Sequence, residues 1–163
     1  MKKLLSFIAE IGTIMYVGGI LSHIVIGAIN AHPTPETAAL IYDYKLQSAY
    51  ILILPGLGLK ILIDLILFFG FNERAWWMRI KLAMTAFLTI NAFVFLVPMM
   101  PQLLDLAQAS IPEGALSEAF ITLENREKLV GMSNVIPLIT EMLMGAFKPR
   151  ISKAERAQSA GVA

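Results

Sequence analysis

The chain has 163 residues, of which 57% are hydrophobic and only 15% charged, and its mean hydropathy is +0.70. A soluble domain of this length needs more charge to cover its surface, and a formal net charge of +1 gives no bulk electrostatic case for a nucleic-acid partner. No cysteine is present, which excludes disulfides, thiolate metal sites and cysteine nucleophiles.

The first apolar stretch follows Met1-Lys2-Lys3 and runs from Leu4 to about Ile29. A secretory signal core covers about 7–15 residues before a small-residue cleavage site. This stretch is nearly double that and carries Glu10, so it predicts a retained helix at about 4–30. Three more apolar stretches follow at about 44–70, 76–100 and 127–147. Each meets or exceeds the roughly 20 residues that cross about 30 Å of hydrocarbon. The fourth is the weakest, because charges crowd its start and Glu141 lies inside it. The expectation is an all-α fold, an integral membrane four-helix bundle of up-down topology within a single domain 1–150, with a polar tail over 151–163.

The connections contain breakers. Pro33 and Pro35 forbid helix continuation after the first stretch, and Gly70-Phe-Asn-Glu-Arg74 forms a short second connection. Pro98 and Pro101 are expected to end or kink the third helix. Leu103 to Leu116 is then a mildly amphipathic segment suited to the membrane interface, which makes the third connection the longest.

Positive charge fixes an expected orientation. With four crossings, Lys2, Lys3, Arg74, Arg79, Lys148, Arg150, Lys153 and Arg156 share one side. The other side has Lys45, Arg126 and Lys128 among seven carboxylates. Both termini are therefore expected in the cytoplasm. Trp76 and Trp77 stand where an interfacial aromatic belt belongs. Glycines 12, 18, 19 and 27 in the first stretch and 56 and 58 in the second suit close helix contact.

Ionisable groups inside hydrocarbon cost about 2.5–3.5 kcal/mol each on the insertion scale. Glu10, Asp64, Lys81 and Glu141 all fall about 8–10 Å inside the same boundary at 1.5 Å per residue, with Lys60 one turn deeper. An up-down bundle would gather Glu10, Lys60, Asp64, Lys81 and Glu141 into one buried polar layer. That layer reads either as a structural salt-bridge layer, with a lysine snorkelling to the headgroups, or as a functional pocket: a proton relay, an ion site or a carboxylate clamp. No Glu-x-x-His spacing of di-iron bundles occurs, and no metal site is assigned. On the other half, His23 falls near the expected level of Gln47, Tyr50 and Asn134, with Met99, Met100 and Met132 on the same side. A membrane histidine is either hydrogen-bonded to a neighbouring helix or a candidate haem ligand.

Tyr16-Val-Gly-Gly-Ile20, Leu54-Pro-Gly-Leu57, Trp77-Met-Arg-Ile-Lys-Leu82, Asn134-Val-Ile-Pro137 and Lys148-Pro149 together resemble motifs of a group of small bacterial membrane proteins. These are the HemJ-type protoporphyrinogen oxidases, the CopD-type copper-resistance membrane domains and their uncharacterised relatives. The resemblance covers most of residues 5–150 and implies the same four-helix scaffold in a bacterial inner (plasma) membrane. HemJ-type proteins use a first-helix histidine and a third-helix lysine to bind haem and oxidise protoporphyrinogen, and the lysine corresponds to Lys81. Ala9 and Glu10 stand where those chains carry the histidine, so the uncharacterised relatives are the nearer match.

Two functional readings follow. One is a haem- or porphyrin-linked redox protein, with Lys81 as the candidate catalytic or propionate-binding residue and His23 as a candidate axial ligand. The other is a non-enzymatic ion or small-solute carrier, or an accessory membrane subunit, built on the charged layer. The lipid bilayer is the implied partner, with a homo-oligomer or a larger membrane complex left open.

Overall fold

The computed structural model describes residues 1–149 and is all-helical; the tail expected over 151–163 lies outside the described residues. Helix α1 spans Lys2–Ile29. Three further long helices follow: α2 over Pro35–Gly70, α3 over Trp76–Glu113 and α4 over Glu118–Phe147. All four are long and apolar enough to cross a membrane. At 36 and 38 residues, α2 and α3 exceed a membrane span, reaching about 54–57 Å at 1.5 Å per residue.

These elements begin and end where local chemistry dictates. Thr34 caps α2 by accepting a hydrogen bond from the Thr37 N–H at 3.3 Å, with Pro35 at the first turn. So α2 starts at residue 35, well before the apolar stretch at 44. Ser117 caps α4 in the same way through the Phe120 N–H at 3.2 Å, and α4 starts at Glu118 rather than at 127. The polar first turns that obscured both starts in the sequence are cap-proximal helix.

Pro98 and Pro101, expected to end or kink the helix, do not end it. Residues 91–96 form a wider π turn, in which Val97 N–H bonds to Ala92 O, and both prolines point outward from the bundle. The wider turn accommodates a proline ring that would strike the carbonyl four residues back. Ala49–Ile53 serves Pro55 of α2 in the same way. Helix α3 therefore continues through Ser110 and a short 3-10 turn to Glu113. Leu103 and Ala107 are fully buried against neighbouring helices instead of lying along an interface. The connection that follows is only Gly114 to Ser117, opened by Gly114 in the left-handed region at φ +69°.

Three apolar clusters hold the bundle. One joins Ala9, Ile63, Leu67 and Met78; a second joins Tyr16, Leu57, Leu88 and Ala92. The third, of Ala38, Tyr42, Met99, Met100, Leu103, Ala107 and Phe120, is built by α2, α3 and α4 without α1. Helix α1 packs on α2 through glycines. A Cβ on Gly12 would stand 2.8 Å from the Gly56 carbonyl oxygen, and one on Gly56 would stand 2.7 Å from the Tyr16 nitrogen. Gly18 and Gly58, by contrast, face open space.

The distribution of polarity is inverted. Lys60, Asp64 and Glu141 are almost completely buried, whereas Ile14 is 70% exposed and Ile136 76%. Water as the surrounding solvent would favour the opposite arrangement.

Candidate functional site

Between the first two apolar clusters lies a ring of four charges from three helices. Lys60 and Asp64 stand one turn apart on α2, Lys81 comes from α3 and Glu141 from α4. Lys60 Nζ donates to Glu141 Oε1 and lies 3.6 Å from Asp64 Oδ2. Lys81 Nζ donates to Asp64 Oδ1 at 2.7 Å and lies 3.9 Å from Glu141 Oε1. Each lysine thus faces both carboxylates, and the formal charges cancel.

Local packing explains the geometry. The close approach of Gly12 to the Lys60 backbone covers Lys60 from the α1 side. Gly145 of α4 leaves room for the Lys81 stem, whose Cε would lie 3.5 Å from a Cβ placed there. Tyr16, buried on α1, is in electrostatic reach of Glu141. Even so, Asp64 Oδ2 and Glu141 Oε2 are buried without a hydrogen-bond partner. Such acceptors are costly and uncommon in folded interiors.

Four of the five residues expected in the layer are therefore brought together: Lys60, Asp64, Lys81 and Glu141. The fifth, Glu10, is exposed and takes no part. The buried face of α1 carries Ala9, Gly12, Tyr16 and Gly19, and Glu10 is turned away from it by one residue's rotation, about 100°. Its depth matches the ring but its direction does not.

A second buried ion pair escaped the sequence reading. Lys45 of α2 donates to Glu127 of α4, at 3.0 Å to Oε1 and 3.3 Å to Oε2. The Tyr42 hydroxyl donates to Oε2 at 3.0 Å, and the Lys45 ammonium lies 4.6 Å from the Tyr42 ring centroid. A third polar contact joins α3 to α4, where the Asn91 amide donates to Asn134 Oδ1 at 2.7 Å. The signal was present in α4. Phe120, Glu127, Asn134 and Glu141 are seven residues apart and are its buried positions among the described residues.

Compared with protein-family models, curated proteins and solved structures, the chain matches none.

The haem expectation rests on His23 and Lys81. His23 Nε2 shares a hydrogen bond with the Ser48 hydroxyl, not with Gln47, Tyr50 or Asn134, and its ring lies edge-on to Tyr44. Lys81 is engaged by Asp64. Gly12 abuts Lys60, and His23 lies eleven residues further along α1, about 16 Å of helix. Tyr16, Leu57, Leu88 and Ala92 fill the interior in between. As arranged, the two residues do not frame one haem pocket. Among the described residues, no group of three or more His, Asp or Glu is placed to hold a metal ion.

Proposed function

We propose that the chain is a multi-pass membrane carrier whose Lys60–Asp64–Lys81–Glu141 ring takes up and releases a proton. The observation that carries this reading is the pair of buried carboxylate oxygens, Asp64 Oδ2 and Glu141 Oε2, that lack a hydrogen-bond donor beside two ammonium groups. A proton added to either carboxylate turns an orphaned acceptor into a donor-bearing carboxyl. The ring also tolerates the change, because each lysine keeps the other carboxylate as counter-ion. Ionisable groups at this depth in an apolar bundle are expensive and point to function. A buried ion pair kept only for stability is matched or exceeded by apolar packing.

The membrane arrangement belongs to the same proposal. Contacts pair rising residue numbers on α1 with falling ones on α2 (Gly12 with Gly56 and Lys60, Gly19 with Ile53), which supports an up-down bundle. The lysines and arginines at the chain start, beside Trp76 and after Phe147 support cytoplasmic termini.

The test is proton flux into sealed vesicles carrying the purified full-length protein, an internal pH dye and a potassium diffusion potential. The native chain should raise the flux well above protein-free vesicles, and Glu141→Gln should lower it at least ten-fold. Native flux equal to the protein-free rate overturns the reading, as does undiminished flux through folded Glu141→Gln. A Soret band lost in His23→Ala would move the assignment to haem chemistry. Because the chain lacks cysteine, Ala115→Cys and Arg74→Cys report orientation directly. An impermeant maleimide added outside cells should label the first and spare the second.

A further inference from the structure

From Glu127 onward the buried line of helix α4 is polar. That line is Phe120, Glu127, Asn134 and Glu141, while Leu129, Ile136 and Phe147 are more than 60% exposed. Seven residues advance a helix by about 10.5 Å, so α4 presents a carboxylate, an amide and a carboxylate at equal intervals. Each meets a partner from another helix: Lys45 and Tyr42 for Glu127, Asn91 for Asn134, Lys60 and Lys81 for Glu141. Packing alone would fill such a seam with leucine.

The gaps in this line also hold polar groups. The His23–Ser48 contact lies one helical turn beyond Lys45 on α2, where the Ser48 hydroxyl donates to the Lys45 backbone carbonyl at 3.4 Å. Tyr16 and Thr85 are buried between the Asn91–Asn134 contact and the ring. Hydroxyl and imidazole groups both accept and donate protons.

We infer that the Lys45–Glu127–Tyr42 cluster and the four-charge ring are the two ends of one proton-transfer path, with α4 as its spine. This rests on the carrier reading of the ring and extends it across the bundle. A proton from solvent adds to the Glu127 carboxylate and loosens its contact with Lys45. It passes by way of His23 and Ser48, then through water held at the Asn91 and Asn134 amides, to Tyr16 and the Glu141 carboxylate. Release follows through Asp64 to the opposite solvent. Each carboxylate is regenerated when it hands its proton on, and each hydroxyl, water or imidazole gives up one proton as it accepts another, so no other reactant is consumed.

The experiment compares Glu127→Gln, Asn134→Leu and Glu141→Gln in the same vesicle assay, with thermal unfolding of each purified protein alongside. Glu127→Gln keeps the shape and one acceptor oxygen but removes the counter-ion of Lys45, and it should lower flux at least ten-fold in protein that still unfolds cooperatively. Asn134→Leu should do the same by drying the middle of the path. Native flux in both, with Glu141→Gln still impaired, overturns the path and leaves the ring as a local proton site. Native flux in all three removes the carrier reading as well. If Glu127→Gln does not fold, Lys45→Met is read in its place against the same outcomes.

Discussion

The two buried charge clusters differ in how completely their carboxylates are satisfied. Glu127 receives the Lys45 ammonium on both oxygens and the Tyr42 hydroxyl on one, so the cluster is closed. In the ring, two carboxylates share two ammonium groups and still leave Asp64 Oδ2 and Glu141 Oε2 without a hydrogen bond. The difference follows from numbers and geometry. One lysine and one tyrosine converge on one carboxylate, whereas the ring spreads its donors over two and has no hydroxyl donating to either. Buried polar groups left partly satisfied mark places that fold at a cost for another purpose.

This contrast can be tested by removing one cation from each cluster. Lys60→Met leaves Glu141 dependent on Lys81 at 3.9 Å. It should destabilise the protein by about 3–5 kcal/mol, as expected when a buried pair loses one member. Unfolding in detergent micelles reads the loss. Lys45→Met should cost less, about 1–3 kcal/mol, because Glu127 keeps the Tyr42 hydroxyl. An equal loss at both sites would erase the distinction drawn here.

Removing both partners sharpens it further. Adding Glu141→Leu to Lys60→Met leaves the Lys81–Asp64 contact at 2.7 Å intact. Most of the stability should return, since apolar replacement of a buried pair is often neutral or stabilising. Proton flux should still be at least ten-fold below native, as in Glu141→Gln. Gly56→Ala acts on the wall rather than on the charges, and it should cost about 1–3 kcal/mol by forcing α1 from α2. The smallest effect belongs to the exposed pair of Lys128 and Glu124, 2.9 Å apart. Lys128→Ala should fall within about 0.5 kcal/mol of the native protein.

Much of this was legible in the residues. The apolar stretches marked four helices, and counting residues from their ends placed Asp64, Lys81 and Glu141 at one depth with Lys60 one turn deeper. Depth alone misassigned Glu10, because a helix also has a rotational phase. On α1 the phase is set by Ala9, Gly12, Tyr16 and Gly19. Pro98 looked like a terminator because a single-residue rule cannot anticipate the π turn that absorbs it. In the sequence Lys45 and Glu127 count only as outer-side charges at the starts of the stretches at 44–70 and 127–147, since polar first turns hide how far α2 and α4 extend. The short motifs that carry the resemblance supply interior positions here: Tyr16, Gly19, Gly56, Leu57, Lys81 and Asn134 all lie on packed faces.

For the membrane protein proposed above, the ring also bears on entry into a bilayer. At its level α1 packs on α2 and α3 packs on α4. Lys60 faces Asp64 within the first pair of helices, and Lys81 faces Glu141 within the second. Within the ring, each helical hairpin therefore carries its own lysine–carboxylate pair. The ring charges thus need no partner from the other hairpin, and the closer contacts, Lys60 with Glu141 and Lys81 with Asp64, join the two hairpins. The Lys45–Glu127 pair joins them as well, since its members belong to different hairpins.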